Sequence, residues 1–264
     1  MRPVAVGFAA FGVVMAVVGP ALSADPSAYA PTPQYVRPPQ WFVEGNVGGS
    51  WGRYDDLTFF DPVDVTNGIP LGATNGNSVV LTNQSRSGTS VTGGASIGYF
   101  VVPNIFFAAV NYQHFGSFGA SGIAAFPAGN VRQDFKTSAD GLLVSLGADL
   151  TVAGLIFVEP SVAAGAGFLH STGVQGANLG LPIAFPSHDY VNFIAGAGLG
   201  VGSHVTPNFD ILLAGNFTWL GRTNTTISPG ITGAPPPPTG MNPGEQLQGS
   251  LGVFTLTGGA RLKF

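Results

Sequence analysis

The sequence predicts an all-β fold, an eight-stranded antiparallel up-and-down transmembrane β-barrel. Three observations carry that expectation. Short segments alternate apolar and polar residues with a period of two over most of the chain. The connections between them alternate short and long. Only 8% of the 264 residues are charged, against about 25% in typical soluble domains. A surface so poor in charge needs a solvent other than water over much of its area.

Eight runs follow one another, at 41–52, 89–101, 105–116, 134–150, 155–170, 188–204, 209–220 and 249–264. In the first, Trp41, Val43, Val47 and Trp51 share a face, and Phe42, Glu44, Asn46 and Ser50 share the other. The second, third and fourth keep the period with more noise. In the fifth, Val158, Val162, Ala164, Ala166 and Phe168 oppose Glu159, Ser161, Gly165 and Gly167. Pro160 interrupts that run, and since proline cannot donate to a ladder it is expected at a bulge. In the sixth, Val191, Phe193, Ala195, Ala197, Leu199 and Val201 oppose Asn192 and four glycines, with Ile194 as an exception. The seventh sets Phe209, Ile211, Leu213, Phe217 and Trp219 against Asp210, Asn216 and Thr218. In the eighth, Leu256, Ala260, Leu262 and Phe264 oppose Thr255, Thr257, Arg261 and Lys263.

The connections sort by length. Those at 102–104, 151–154 and 205–208 are short, whereas 53–88, 117–133, 171–187 and 221–248 are long and rich in Asn, Gly, Ser, Thr and Pro. In a meander, this places all turns at one end and all long loops at the other, as in outer-membrane barrels. A spacing of ten residues recurs on the apolar faces, in Trp41 with Trp51, Phe209 with Trp219, and Phe254 with Phe264. Ten strand residues tilted by about 40° rise roughly 25 Å, the height of a lipid-facing band, so these six are expected to form its aromatic girdle.

Two rival architectures fit less well. A membrane helix over 141–158 would carry Asp149 near its middle, at about 2.5–3.5 kcal/mol, and would contain three glycines. A soluble β-sandwich would carry more charge on its exposed face.

Residues 1–24 have the pattern of a secretory signal peptide, with Arg2 before an apolar run, then Pro20 and the small residues 21–24. Cleavage there leaves 8 basic against 13 acidic residues. Residues 25–40, with five prolines, are expected to form an extended periplasmic tail ahead of the barrel at 41–264. The chain has no cysteine, so disulfide frameworks and thiolate zinc sites are ruled out. It has no Lys/Arg-rich run and hence no nucleic-acid footprint.

Charges on the polar faces cluster. Glu44 starts the first run, Asp210 starts the seventh, and Arg261 and Lys263 end the eighth. In a closed meander the eighth strand neighbours both the seventh and the first, so all four meet inside the turn-bearing end. Glu44 with Arg261 and Asp210 with Lys263 are the expected pairs, and Asp149 and Glu159 also point inward. Charges enclosed in so narrow a barrel need partners. The cluster reads either as a gate on an ion path or as a structural plug.

Other motifs carry less. Glycines 196, 198, 200 and 202 recur every two residues with no helix after them, which is barrel packing and not a nucleotide loop. His114, His170 and His188 fall near the loop-bearing ends of their strands, at spacings that fix no metal geometry. Serines stand beside two of them (114–117 and 170–171), but no acid stands at a recognisable spacing. No catalytic, metal or cofactor site is therefore expected.

Taken together, the signal peptide, the eight-run meander and the ending ARLKF resemble Gram-negative outer-membrane β-barrel proteins, in particular the OmpA-like transmembrane barrel of the broad porin family. The resemblance implies location in the cell outer membrane and contact with its lipid and lipopolysaccharide. It also implies that Leu256, Ala260, Leu262 and Phe264 act as an assembly signal for the barrel-assembly machinery. No peptidoglycan-binding domain follows the last strand in this sequence. The expected role is structural or surface-interacting in the cell envelope, with loops 53–88, 117–133, 171–187 and 221–248 meeting extracellular ligands. The alternative is a narrow porin or OmpW-like channel for small solutes.

Overall fold

A computed structural model describes residues 41–60, 78–126, 129–175, 183–225 and 246–264. The expected signal peptide, the tail and parts of all four expected loops lie outside the described residues. Eight long strands form the wall. They are β1 (Trp41–Phe60), β2 (Ser87–Val102), β3 (Phe106–Phe126), β4 (Gly129–Ala148), β5 (Ile156–Gln175), β6 (Ile183–Thr206), β7 (Phe209–Asn224) and β8 (Gln246–Lys263). Short strands at Ser78–Val80, Thr82–Ser85 and Leu150–Ala153 pair beside β1, β3 and β5.

Each long strand pairs antiparallel with its sequence neighbours, and β1 pairs with β8, which closes an eight-stranded barrel. The seam is bonded to its end: the Trp41 amide donates to the Phe264 carbonyl at 3.1 Å, and the Phe264 amide to the Trp41 carbonyl at 2.9 Å. Tight turns at 103–105, 154–155 and 207–208 define the turn end. Residues 141–158, the rival helix, are strand on both sides of the turn at 154–155.

Two expectations need correction, and one exception is explained. The stretches expected as long loops are largely strand, at 53–60, 78–80, 82–85, 117–126, 129–133, 171–175, 183–187, 221–224 and 246–248. Their Asn, Ser, Thr and Gly content reads as loop, yet the period of two continues through them and the ladder holds both backbone groups. The β3–β4 hairpin pairs without a break from Ala139 opposite Gly116 to Gly129 opposite Phe126. Ile194 is the expected apolar exception on the inward face, where it is fully buried. Secondly, Pro160 sits at no bulge. The β5 register is the same on either side of it, Ser161 opposite Gly147 and Val158 opposite Leu150, and the ladder merely lacks its rungs there.

Bulges fall elsewhere. One follows His114 in β3 and one follows Trp219 in β7, each closed by a glycine with positive φ, Gly116 at 97° and Gly221 at 83°. Residues with a Cβ avoid that region, so glycine fixes where each strand re-aims its side chains.

Candidate functional site

The barrel interior is closed at two levels with a chamber between them. At the turn end, strand register gathers the charges. Arg261 lies opposite Glu44 on β1 and opposite Asp210 on β7. Its guanidinium is 1% exposed and uses all three nitrogens: Nε donates to Glu44 at 2.9 Å, Nη1 to Asp149 at 3.0 Å and Nη2 to Glu159 at 2.5 Å. The rings of Phe42 and Phe107 face its charge at 4.6 and 5.1 Å. One planar cation thus ties β1 and β8 to β5 and the end of β4. Lys263 turns instead to Asp210, at 3.1 Å, and His204 Nδ1 meets the same Asp210 oxygen at 2.8 Å. The imidazole stacks on Phe157 at 4.6 Å between centroids. His204 was not part of the expected cluster. A plain count about the turn at 207–208 pairs Asp210 with residue 205; a register shift between Phe209 and Asp210 brings His204 opposite it instead.

Above this cluster lies a polar chamber of about 130 Å³, bordered by Glu44, Glu159 and Arg261 below and by Phe115 and Leu143 above. Its wall carries bonded amides and hydroxyls. Asn111 donates to Ser145 Oγ at 2.8 Å, and Gln113 to Thr92 Oγ1 at 2.7 Å. The glycines of β6 make this space. At Gly198 a Cβ would stand 1.8 Å from Asn216 Oδ1.

Towards the loop end the lumen fills with apolar side chains. Tyr54, Leu57, Phe118, Ile194, Leu220, Leu247 and Leu251 are at most 1% exposed and form one cluster. The Tyr54 hydroxyl donates to the Phe118 carbonyl at 3.0 Å, and burial pushes its phenol well above the usual range. Gln133 is fully buried in this part of the barrel, and both of its amide atoms lack partners.

The outer wall divides at a matching height. Large apolar residues cover its turn half, among them Val47, Val144, Phe193 and Leu213, each more than half exposed. A band of that extent is far larger than the apolar patches that water-facing surfaces ordinarily carry. Trp41, Trp51, Trp219, Phe254 and Phe264 are exposed on this face, whereas Phe209 is half-buried. Trp51 packs on Phe254 across the seam at 5.8 Å, and Trp41 on Tyr99 at 5.1 Å. Leu256, Ala260 and Leu262 also point outward.

Just above the band, two histidines have acid partners that the sequence did not reveal. His114 Nδ1 meets Asp140 at 2.8 Å, and the Tyr112 hydroxyl donates to the same carboxylate at 2.7 Å. His170 Nδ1 meets Asp189 at 2.5 Å. Their separations along the chain, 26 and 19 residues, are set by strand length and carry no local signature. His188 stacks on Tyr190 at 5.0 Å. Among the described residues, no group of three or more His, Asp or Glu side chains is placed to hold a metal ion.

No protein-family profile matches this chain. No curated protein sequence matches it either. Solved structures share its general outline. Neisserial surface protein A is similar at 16% identity and a TM-score of 0.42, over 85% of this chain and 97% of that one. The outer membrane protease OmpT from Escherichia coli is similar at 11% identity and 0.45, over 90% and 99%. The outer membrane protein AlkL is similar at 16% identity and 0.38, over 91% and 97%. The eight-stranded ring itself rests on this chain's own hydrogen-bond register.

Proposed function

We propose that this chain is an integral outer-membrane barrel with a structural and surface-interacting role in the cell envelope, and that its lumen does not conduct. The observation that carries this reading is the double closure of the interior. The Arg261 cluster fills the turn end, and the Tyr54–Leu251 core fills the loop end. A solute crossing the barrel would have to break both. The outward apolar band supports membrane insertion, and the signal-peptide pattern supports export. The turns then lie in the periplasm and the long hairpins outside. Lipid and lipopolysaccharide contact the wall, and the hairpin tips are the surfaces for extracellular ligands.

Planar-bilayer recording tests the sealed lumen. Purified protein is expected to insert without current steps. Steps in the wild type would sink this reading and favour the second one, a narrow channel, for which the polar chamber is the supporting observation. In that case replacing Arg261 should widen the steps. The outward row ending in Phe264 would serve as the signal read by the barrel-assembly machinery. Deleting Phe264 should lower outer-membrane assembly in cells, and normal assembly without it would count against that role.

A further inference from the structure

The outer wall carries a row of polar groups that the sealed barrel does not need. Ser138 on β4 lies directly opposite His170 on β5, which lies directly opposite Asp189 on β6. All three face outward, at the upper edge of the apolar band. His170 Nδ1 is 2.5 Å from Asp189 Oδ1. An ionised carboxylate only accepts, so Nδ1 carries the hydrogen, and in the neutral imidazole Nε2 then holds the lone pair. On the other side of His170 the neighbouring strand presents Ser138. Opposed residues have Cβ atoms about 4.5–5.5 Å apart, within reach of one hydroxyl rotamer. Ser138 makes no hydrogen bond, to His170 or to any other group, and Lys136 no ion pair among the described residues; such contacts between nucleophile and base are often long in unliganded sites. Lys136 stands two residues above Ser138 on the same face. Below the row, Phe168, Val191 and Leu142 are about half exposed or more. A shallow depression in the wall is bounded by Ser138, Phe168, His170, Asp189 and Val191.

We propose that Ser138, His170 and Asp189 form an esterase site on the outer wall that cleaves acyl esters of membrane lipids. The inference rests on the reading that the barrel spans the outer membrane, because that reading puts the row at the level of the lipid ester bonds. Ser138 Oγ attacks the ester carbonyl carbon while His170 Nε2 takes its proton. The bond from the acyl carbon to the lipid alcohol oxygen then breaks, and His170 returns the proton to that oxygen. Water, activated by the same imidazole, attacks the acyl-serine and releases the fatty acid. Asp189 is a positioning residue that fixes the tautomer and the ring. Lys136, two residues along β4 on the same face, supplies a cation on the side where charge develops on the carbonyl oxygen. The acyl chain lies down the apolar wall over Phe168 and Val191.

The test uses the full chain refolded in detergent, with the folded fraction read from heat-modifiable gel migration. A fluorophosphonate probe and a short-chain p-nitrophenyl ester report the chemistry without a membrane. The probe is expected on Ser138. Ser138→Ala and His170→Gln should each lower turnover at least about 100-fold with the gel shift intact. Asp189→Ala should lower kcat with KM unchanged, and Asp189→Glu should restore part of it. A folded wild type that neither labels nor turns over overturns the proposal, as does a Ser138→Ala protein that keeps its rate. Phosphatidylethanolamine vesicles then test the substrate, and release of fatty acid is expected. Hydrolysis of the soluble ester alone overturns lipid as the substrate class. Failure to insert into vesicles overturns the membrane reading, while the soluble ester still decides the row.

Discussion

The two halves of β8 make opposite choices. From Gln246 to Val253, Leu247, Leu251 and Val253 point inward and are fully buried, while Gln248 and Ser250 point outward. From Phe254 to Phe264, Thr255, Thr257, Arg261 and Lys263 point inward, while Phe254, Leu256, Leu262 and Phe264 point outward. The period of two is unbroken along β8, although the strands on either side carry register shifts after Asp55 and Trp219. β4 inverts in the same way, from Arg132, Asp134 and Lys136 outside to Leu142, Val144 and Leu146 outside. On the proposed membrane reading, the barrel is one wall serving two media. Water-facing strands bury oil inside, and lipid-facing strands bury their polar groups inside.

The largest expected effect tests the polar interior. Arg261→Met leaves three carboxylates without their shared cation, and should lower unfolding stability by about 3–5 kcal/mol in a denaturant titration. A loss below about 1 kcal/mol would mean that the cluster is decoration. Next comes the apolar interior of the other half. Leu251→Ala should cost about 2–5 kcal/mol in the same titration, since the cavity opens inside a packed core. The wall is probed by a matched pair. Leu256→Arg places a charge in the lipid band and should cost about 2–4 kcal/mol. Ser250→Arg, six residues away on the same face, should change stability by no more than about 0.5 kcal/mol. Equal effects would erase the distinction between the halves. The smallest effect is that of Tyr54→Phe, which removes only the bond to the Phe118 carbonyl and should cost about 0.5–1.5 kcal/mol.

The lipid-facing half was legible in the sequence because membrane contact makes its pattern coarse. Trp41 to Trp51 and Phe254 to Phe264 alternate cleanly, and closure of the meander puts Glu44 beside Arg261 and Asp210 beside Lys263. The water-facing half was not. Residues such as Arg132, Lys136 and Thr172 also alternate, but against small or polar inward neighbours such as Gln133, Thr137 and Gly173, so the contrast is weak and loop composition dominates. The wall histidines were the least legible. Asp140 and Asp189 reach His114 and His170 only through register, and register depends on bulges such as the one at Gly116, which no local residue pattern announces.

The seam between β1 and β8 carries a consequence for the order of folding. Both buried cations of the interior, Arg261 and Lys263, arrive on the final strand, while Glu44, Asp149, Glu159 and Asp210 are already in place on the others. Without that strand, Glu44, Asp149 and Glu159 lack their shared guanidinium, and Asp210 keeps only His204. Docking one residue out of step would turn Arg261 and Lys263 to the lipid and Leu262 to the acids. The seam is thus the contact whose alignment is checked by charge, and its partners stand more than 200 residues apart along the chain. Assembly of such a sheet is slow by topology, and it ends in a step that accepts only one alignment.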